Sequence, residues 1–130
     1  MKPILSSEIL DFSKRGLVIV IADTLEEAGQ AFGRRFKSRQ FSMSDCKGAT
    51  ALCVVEENRS CALLFALPCL CASTICHEVT HATNAMLTHI GIDLDNSSDE
   101  VYAYHNDMLF RKVAKLLVKH NMTIPLLPNP

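Results

Sequence analysis

The chain has 130 residues, a formal net charge of −1, and 48% hydrophobic against 21% charged residues. These values predict one folded domain over residues 1–130, large enough to bury a core and too apolar to be disordered. The near-neutral charge gives no support for a nucleic-acid partner. No apolar run approaches the 18 or more residues of a membrane span, so a membrane partner is not expected either.

The N-terminus and the cysteines predict a cytoplasmic protein. Glu8 stands where a signal peptide would have its apolar region, and the six cysteines are expected to be reduced thiols. Alternatively, three of the cysteines and a neighbouring histidine could bind a structural zinc ion: Cys69, Cys71, Cys76 and His77. This set lacks a C-x-x-C pair, so we favour small apolar side chains at a strand-to-helix junction.

The first part of the chain predicts helices alternating with strands. Residues 6–16 carry a serine cap and a terminal glycine, which predict a short helix. The apolar run 17–22 is typical of a strand buried on both faces. A capping box opens a predicted helix over residues 24–36, and residues 38–48 are predicted to form a loop.

The middle of the chain predicts a hairpin followed by a long helix. Two apolar runs, 49–55 and 61–67, flank a polar turn and predict an antiparallel pair, which Pro68 closes. The helix that follows is predicted to begin at Ser73, its cap, and to end just before Gly91.

This long helix carries the motif His77-Glu78-x-x-His81. Histidines at i and i+4 stand above each other on one helix face, where two imidazoles can hold one Zn²⁺. Catalytic zinc takes three protein ligands and leaves the fourth position to water. Glu100, 18 residues beyond the motif on a second helix predicted over residues 99–120, is the candidate third ligand.

The start of the second helix leaves two interpretations of Glu100 open. Ser97 and Glu100 have the spacing of a capping box, in which Glu100 would only fix the helix start. If Ser98 or Asp99 is the cap instead, Glu100 is free to bind metal.

The segments HEVTHATN (residues 77–84) and DEVYAY (residues 99–104) resemble the gluzincin branch of zinc metallopeptidases. They are more closely similar to small zincin-like peptidases encoded by bacteriophages, over residues 50–118. The resemblance implies an α+β, zincin-like minimal domain. In it, a small three-stranded sheet packs against the HExxH helix and the following glutamate-bearing helix. It also implies that residues 61–67 form an edge strand that binds an extended peptide.

The motif also predicts catalytic roles. Zinc lowers the pKa of bound water to near 7, and Glu78 is placed to act as the general base. Tyr102, Tyr104 and His105 are candidates to stabilise an oxyanion or to orient a ligand, although for each of them a packing or surface role is favoured.

Two functions therefore remain open. The first is an intracellular zinc-dependent peptidase of phage or prophage origin, acting on a protein or peptide in the host cytoplasm. The second is a non-enzymatic virion or regulatory interaction protein that retains the zincin fold. The presence of Glu78 favours the first, and the small size favours the second. A cell-wall endopeptidase is disfavoured by the lack of an export signal.

Overall fold

The strands form one mixed sheet, and helices cover both of its faces. The computed structural model describes residues 1–36 and 49–128. Within these ranges the strands are β1 (Ile4–Ile9), β2 (Gly16–Ala22), β3 (Ala51–Val55) and β4 (Cys61–Ala66). The helices are α1 (Leu25–Phe36), α2 (Ala72–His89) and α3 (Asp99–Lys119), and a short 3-10 turn covers Leu67–Cys69. The protein is therefore a small α+β domain.

The strand order is β1-β2-β4-β3. β2 and β4 run parallel to each other in the centre, and β1 and β3 are antiparallel to their neighbours. Nearly every residue of β2 and β4 is buried. This confirms that residues 17–22 form a strand covered on both faces, as its continuous apolar sequence predicts.

Side-chain alternation along the central strands divides the core into two layers. One face of the sheet packs against α1, mainly through Val18, Val20, Ala62, Leu64 and Phe32. The opposite face packs against α2 and α3, mainly through Ile19, Ile21, Leu63, Phe65, Met86 and Leu109. α2 also packs against β3 and β4, which brings the HExxH helix next to one side of the sheet.

The short helix predicted over residues 6–16 is wrong. Its first part is β1, which pairs antiparallel with β2. The reversal between them is a tight turn in which Leu10 N–H donates to Arg15 C=O and Lys14 N–H donates to Leu10 C=O, both at 2.9 Å. Local capping signals favoured a helix, but pairing with β2 satisfies the same backbone groups. The sheet therefore has four strands, and the predicted three-stranded sheet is also wrong.

The remaining predicted helices and strands that the structure describes are confirmed as elements, apart from the start of α2. β3 and β4 form the expected antiparallel hairpin. α1 begins as its capping box predicts, because Thr24 Oγ1 accepts a hydrogen bond from Glu27 N–H at 3.1 Å. Gly91 follows α2 with a positive φ of 85°, where glycine is favoured. The loop predicted over residues 38–48 lies outside the described residues.

The start of α2 differs from the prediction. Its N-cap is Cys71 rather than Ser73. The first free N–H groups of the helix are satisfied from far along the chain. Ala72 N–H donates to Pro125 C=O and Ser73 N–H donates to Leu126 C=O, each at 3.0 Å. The C-terminal residues therefore cap the helix that carries the motif.

Across the described ranges, none of the helices combines the length and apolarity needed to cross a bilayer.

Candidate metal centre

His77 and His81 lie together on the solvent-facing side of α2. Their Nε2 atoms are 3.2 Å apart, and the two rings meet edge to face with centroids 4.9 Å apart. Two Zn–N bonds of about 2.0–2.1 Å at a tetrahedral angle place the nitrogens about 3.3–3.4 Å apart. The pair therefore fits a single zinc ion. Without metal, the same spacing suits one Nε2–H donating to the other ring nitrogen.

Glu78 lies beside this pair but turns towards the sheet. It is only 8% exposed, and its Oε1 is 3.9 Å from His77 Nε2. Burial raises the pKa of its carboxyl. The two histidines and a hydrogen bond from the Cys53 backbone N–H lower that pKa, but by less than burial raises it. Glu78 is thus a largely buried carboxyl beside two imidazoles, and its pKa lies above the ordinary value.

Glu100 lies on the outer side of α3, where it is exposed. The buried face of this helix contains Tyr102, His105 and Leu109. Leu109 lies nine positions after Glu100 on the helix. At about 100° per residue, these two side chains point in opposite directions. In the described parts of the chain, no group of three or more His, Cys, Asp or Glu side chains could hold a metal. The structure therefore does not bring Glu100 to the histidine pair.

The start of α3 decides between the two interpretations of its first residues. Ser98 is the N-cap, and Glu100 is the second helical residue, so the capping box between Ser97 and Glu100 is not formed. The Ser97 hydroxyl instead donates to Asp95 Oδ1 at 2.7 Å, and the same oxygen accepts the Ser98 N–H at 3.0 Å. Glu100 is consequently not engaged in capping.

The three further candidates have separate environments. Tyr102 is buried, and its hydroxyl donates to Ile92 C=O at 2.7 Å. Tyr104 is 71% exposed. His105 is 4% exposed, and its Nδ1 shares a hydrogen bond of 2.9 Å with Thr83 Oγ1. No hydrogen bond within residues 1–36 and 49–128 connects any of the three to the histidine pair or to the motif's glutamate.

The edge strand beside the motif is β3. β4, which the resemblance implied as the edge, is internal because it pairs with both β2 and β3. Ala66 N–H donates to Thr50 C=O at 3.0 Å, and Glu56 N–H donates to Ser60 C=O at 2.8 Å. The even-numbered residues of β3 therefore pair with β4, and the N–H and C=O groups of Ala51, Cys53 and Val55 point away from it.

Among the described residues no strand pairs with this edge of β3, and the edge and the motif share one cleft. The cleft has a volume of about 370 Å³ and is lined by Ala49, Thr50, Ala51, Ser73, Thr74, His77 and Glu78. Sequence reasoning missed β3 as one wall and missed Cys53 as a partner of Glu78. The strand order could not be read from local patterns, although the apolar run of β3 was visible.

Together these features define an α+β domain with a His-Glu-His cluster on α2, at the rim of a mixed sheet. No protein-family model, curated protein or solved structure matches the chain. The chemistry of the site therefore rests on the residues and distances given above.

Proposed function

We propose that this protein is a zinc-dependent peptidase with a zincin-like fold, in which Glu78 acts as the general base. The observation that carries the proposal is the 3.2 Å separation of the His77 and His81 Nε2 atoms. A buried carboxyl with a raised pKa stands beside them, at the wall of a cleft. A purely structural zinc site does not require an acid between its two histidine ligands.

His77 and His81 would hold the metal as neutral imidazoles. Zinc bound there would polarise the substrate carbonyl and acidify a coordinated water. Glu100 remains the proposed third ligand, although in the described structure it is not grouped with the two histidines.

Glu78 would accept the proton of the attacking water and transfer it to the leaving amine. The raised pKa of Glu78 lies closer to neutral pH than that of an ordinary glutamate. A general base whose pKa is near the working pH is still ionised and also accepts a proton readily. The Cys53 N–H and the two imidazoles favour the ionised form that this role needs.

The free edge of β3 would bind the substrate. An extended peptide can pair with the outward N–H and C=O groups of Ala51 and Val55 and with the outward C=O of Cys53, whose N–H already donates to Glu78. Backbone pairing of this kind recognises an unfolded segment with little choice of sequence. The proposed substrate class is therefore an extended peptide or an unstructured part of a protein.

The test is cleavage of an unstructured protein by the wild type and by Glu78→Gln, with zinc content measured in both. Glutamine keeps the shape but cannot accept the proton, so we expect hydrolysis to fall at least about 100-fold, with zinc retained. Glu26→Gln is the matched control: it makes the same change at an exposed position on α1 and should have wild-type activity. Equal hydrolysis by Glu78→Gln and the wild type would contradict the proposal.

One observation favours a second candidate, a non-enzymatic virion or regulatory interaction protein on the same fold. Glu100 lies on the side of α3 opposite its buried face, so the three proposed ligands are not assembled. One equivalent of zinc without Glu78-dependent cleavage would support this candidate.

A further inference from the structure

A second cavity adjoins the cleft at the amino end of α2. Its volume is about 410 Å³, and it is lined by Thr50, Pro68, Cys69, Leu70, Cys71, Thr74, Pro125 and Pro128. Thr50 and Thr74 also line the cleft that holds His77 and Glu78. The cavity and the cleft are therefore neighbours that share one wall.

The lining of this cavity is uncharged. None of the described residues around it is an acid, a lysine, an arginine or a histidine, and three prolines and the buried Leu70 form much of its wall. Moving a charged side chain from water into such a space is costly, whereas burying an apolar one is favourable. The cavity thus suits an uncharged, apolar group.

The C-terminal residues fix its outer wall. Pro125 C=O and Leu126 C=O each accept a hydrogen bond from the first turn of α2 at 3.0 Å. Ile124 packs against the core just before them. Because the wall is held at the backbone, the cavity is formed before any ligand enters.

The position of the cavity along α2 relates it to the reacting bond. Thr74 and Cys71 precede Glu78 by four and seven residues, or about 6 and 10 Å at 1.5 Å per residue. An extended peptide advances about 3.3 Å per residue. A side chain in the cavity would therefore belong to a residue two or three positions from the bond that is cleaved.

We propose that this cavity is a specificity subsite, which selects an apolar side chain two or three residues from the scissile bond, on one side of it. The inference rests on the proposed peptidase function and deepens it. It names the substrate as an extended peptide with an apolar residue at that position.

The first experiment uses a set of peptides that differ only in having Leu, Asp or Lys at each of three positions on either side of the cleaved bond. At one position, two or three residues from the cleaved bond, the peptide with Leu should have a kcat/KM at least about tenfold higher than the peptides with Asp or Lys. A flat profile at these positions would overturn the subsite.

The second experiment changes the charge of the cavity. Cys69 is exposed and lines it, so Cys69→Lys should raise the Asp-to-Leu ratio at the same position at least about fivefold through opposite-charge attraction. Cys76→Lys is the matched control. This cysteine is also exposed but lines the groove between α2 and α3, so the ratio should stay at the wild-type value. An unchanged ratio in Cys69→Lys would overturn the assignment.

The experiments distinguish a wrong subsite proposal from a wrong peptidase proposal. Hydrolysis that depends on Glu78 but shows no positional preference removes only the subsite. If no peptide is hydrolysed, the peptidase fails. The same peptides, now carrying a fluorescent label, are then tested for binding to the Glu78→Gln variant, which probes the cavity directly. A Leu peptide that binds at least about fivefold tighter than its Asp counterpart supports the cavity as a recognition site, and equal affinities overturn it.

Discussion

The histidine pair predicts a metal-binding property that single substitutions can measure. His77→Ala and His81→Ala each leave one imidazole on α2, so each variant should lose most of its bound zinc after gel filtration. His89→Ala is the control, because His89 is exposed on the same helix and lies outside the pair. Zinc retained at the wild-type level in either single variant would contradict the two-histidine site.

Glu100→Gln tests the third ligand separately. If Glu100 binds the metal, the variant should lose at least about tenfold in zinc affinity, measured by competition with a chelator. If the arrangement of α3 described above persists with metal bound, affinity should be unchanged. The second result would favour the interaction protein over the peptidase, because catalytic zinc uses three protein ligands.

At the scale of elements, the cap of α2 is a long-range feature with a measurable contribution. A chain that ends at Ile124 keeps the packing of this residue but lacks the two carbonyls that accept the Ala72 and Ser73 N–H groups. Lost caps typically cost about 0.5–2 kcal/mol each, so the free energy of unfolding should fall by about 1–4 kcal/mol in urea denaturation. Leu126→Ala retains the backbone carbonyl and should be nearly neutral.

The free edge of β3 allows a paired test of peptide binding. Ala51 N–H points away from β4, so Ala51→Pro should leave the fold intact. It should also raise KM about two- to tenfold through the loss of one hydrogen bond to substrate. The neighbouring Leu52 pairs with Leu64 in the ladder. Leu52→Pro should therefore destabilise the domain by about 1–3 kcal/mol, because it removes a ladder hydrogen bond and leaves a buried carbonyl without its donor. An unchanged KM in Ala51→Pro would argue against substrate pairing with β3.

The elements that sequence patterns predicted correctly are those with local causes. α1 has its own capping box, and the β3–β4 hairpin has its own polar turn. β1 was missed because its strand character depends on pairing with β2, and the α2 cap was missed because its partners lie more than 50 residues away. The His-Glu-His cluster could be predicted because one helical turn sets its geometry. The position of Glu100 could not, since it depends on how α3 is rotated against α2.

At the scale of the whole molecule, the two core layers place the chemistry at the rim. The sheet buries its centre between α1 on one face and α2 with α3 on the other. Glu78 lines the cleft between α2 and the residues that begin β3. Burial of the central strands and access to the cleft are thus consequences of the same strand order.

The packing of α2 against α3 also predicts how stability depends on pH. His105 is buried between them, and burial lowers its pKa below the ordinary value of 6.5. Its Nε2 has no hydrogen-bond partner in the described structure, so a proton there would be poorly accommodated. The unfolded chain therefore binds this proton more readily than the folded one. The contribution of neutral His105 is fully present above about pH 6.5 and is lost as the pH falls towards the lowered pKa.

Denaturation of the metal-free protein at pH 7.5 and at pH 5.5 measures this effect. The free energy of unfolding of the wild type should be lower at pH 5.5. His105→Gln cannot take up the proton, so part of the decrease should disappear in that variant. His89→Gln, at an exposed position on α2, should keep the full decrease. If His105→Gln and the wild type lose the same stability between the two pH values, His105 is not the group that couples the helix pair to pH.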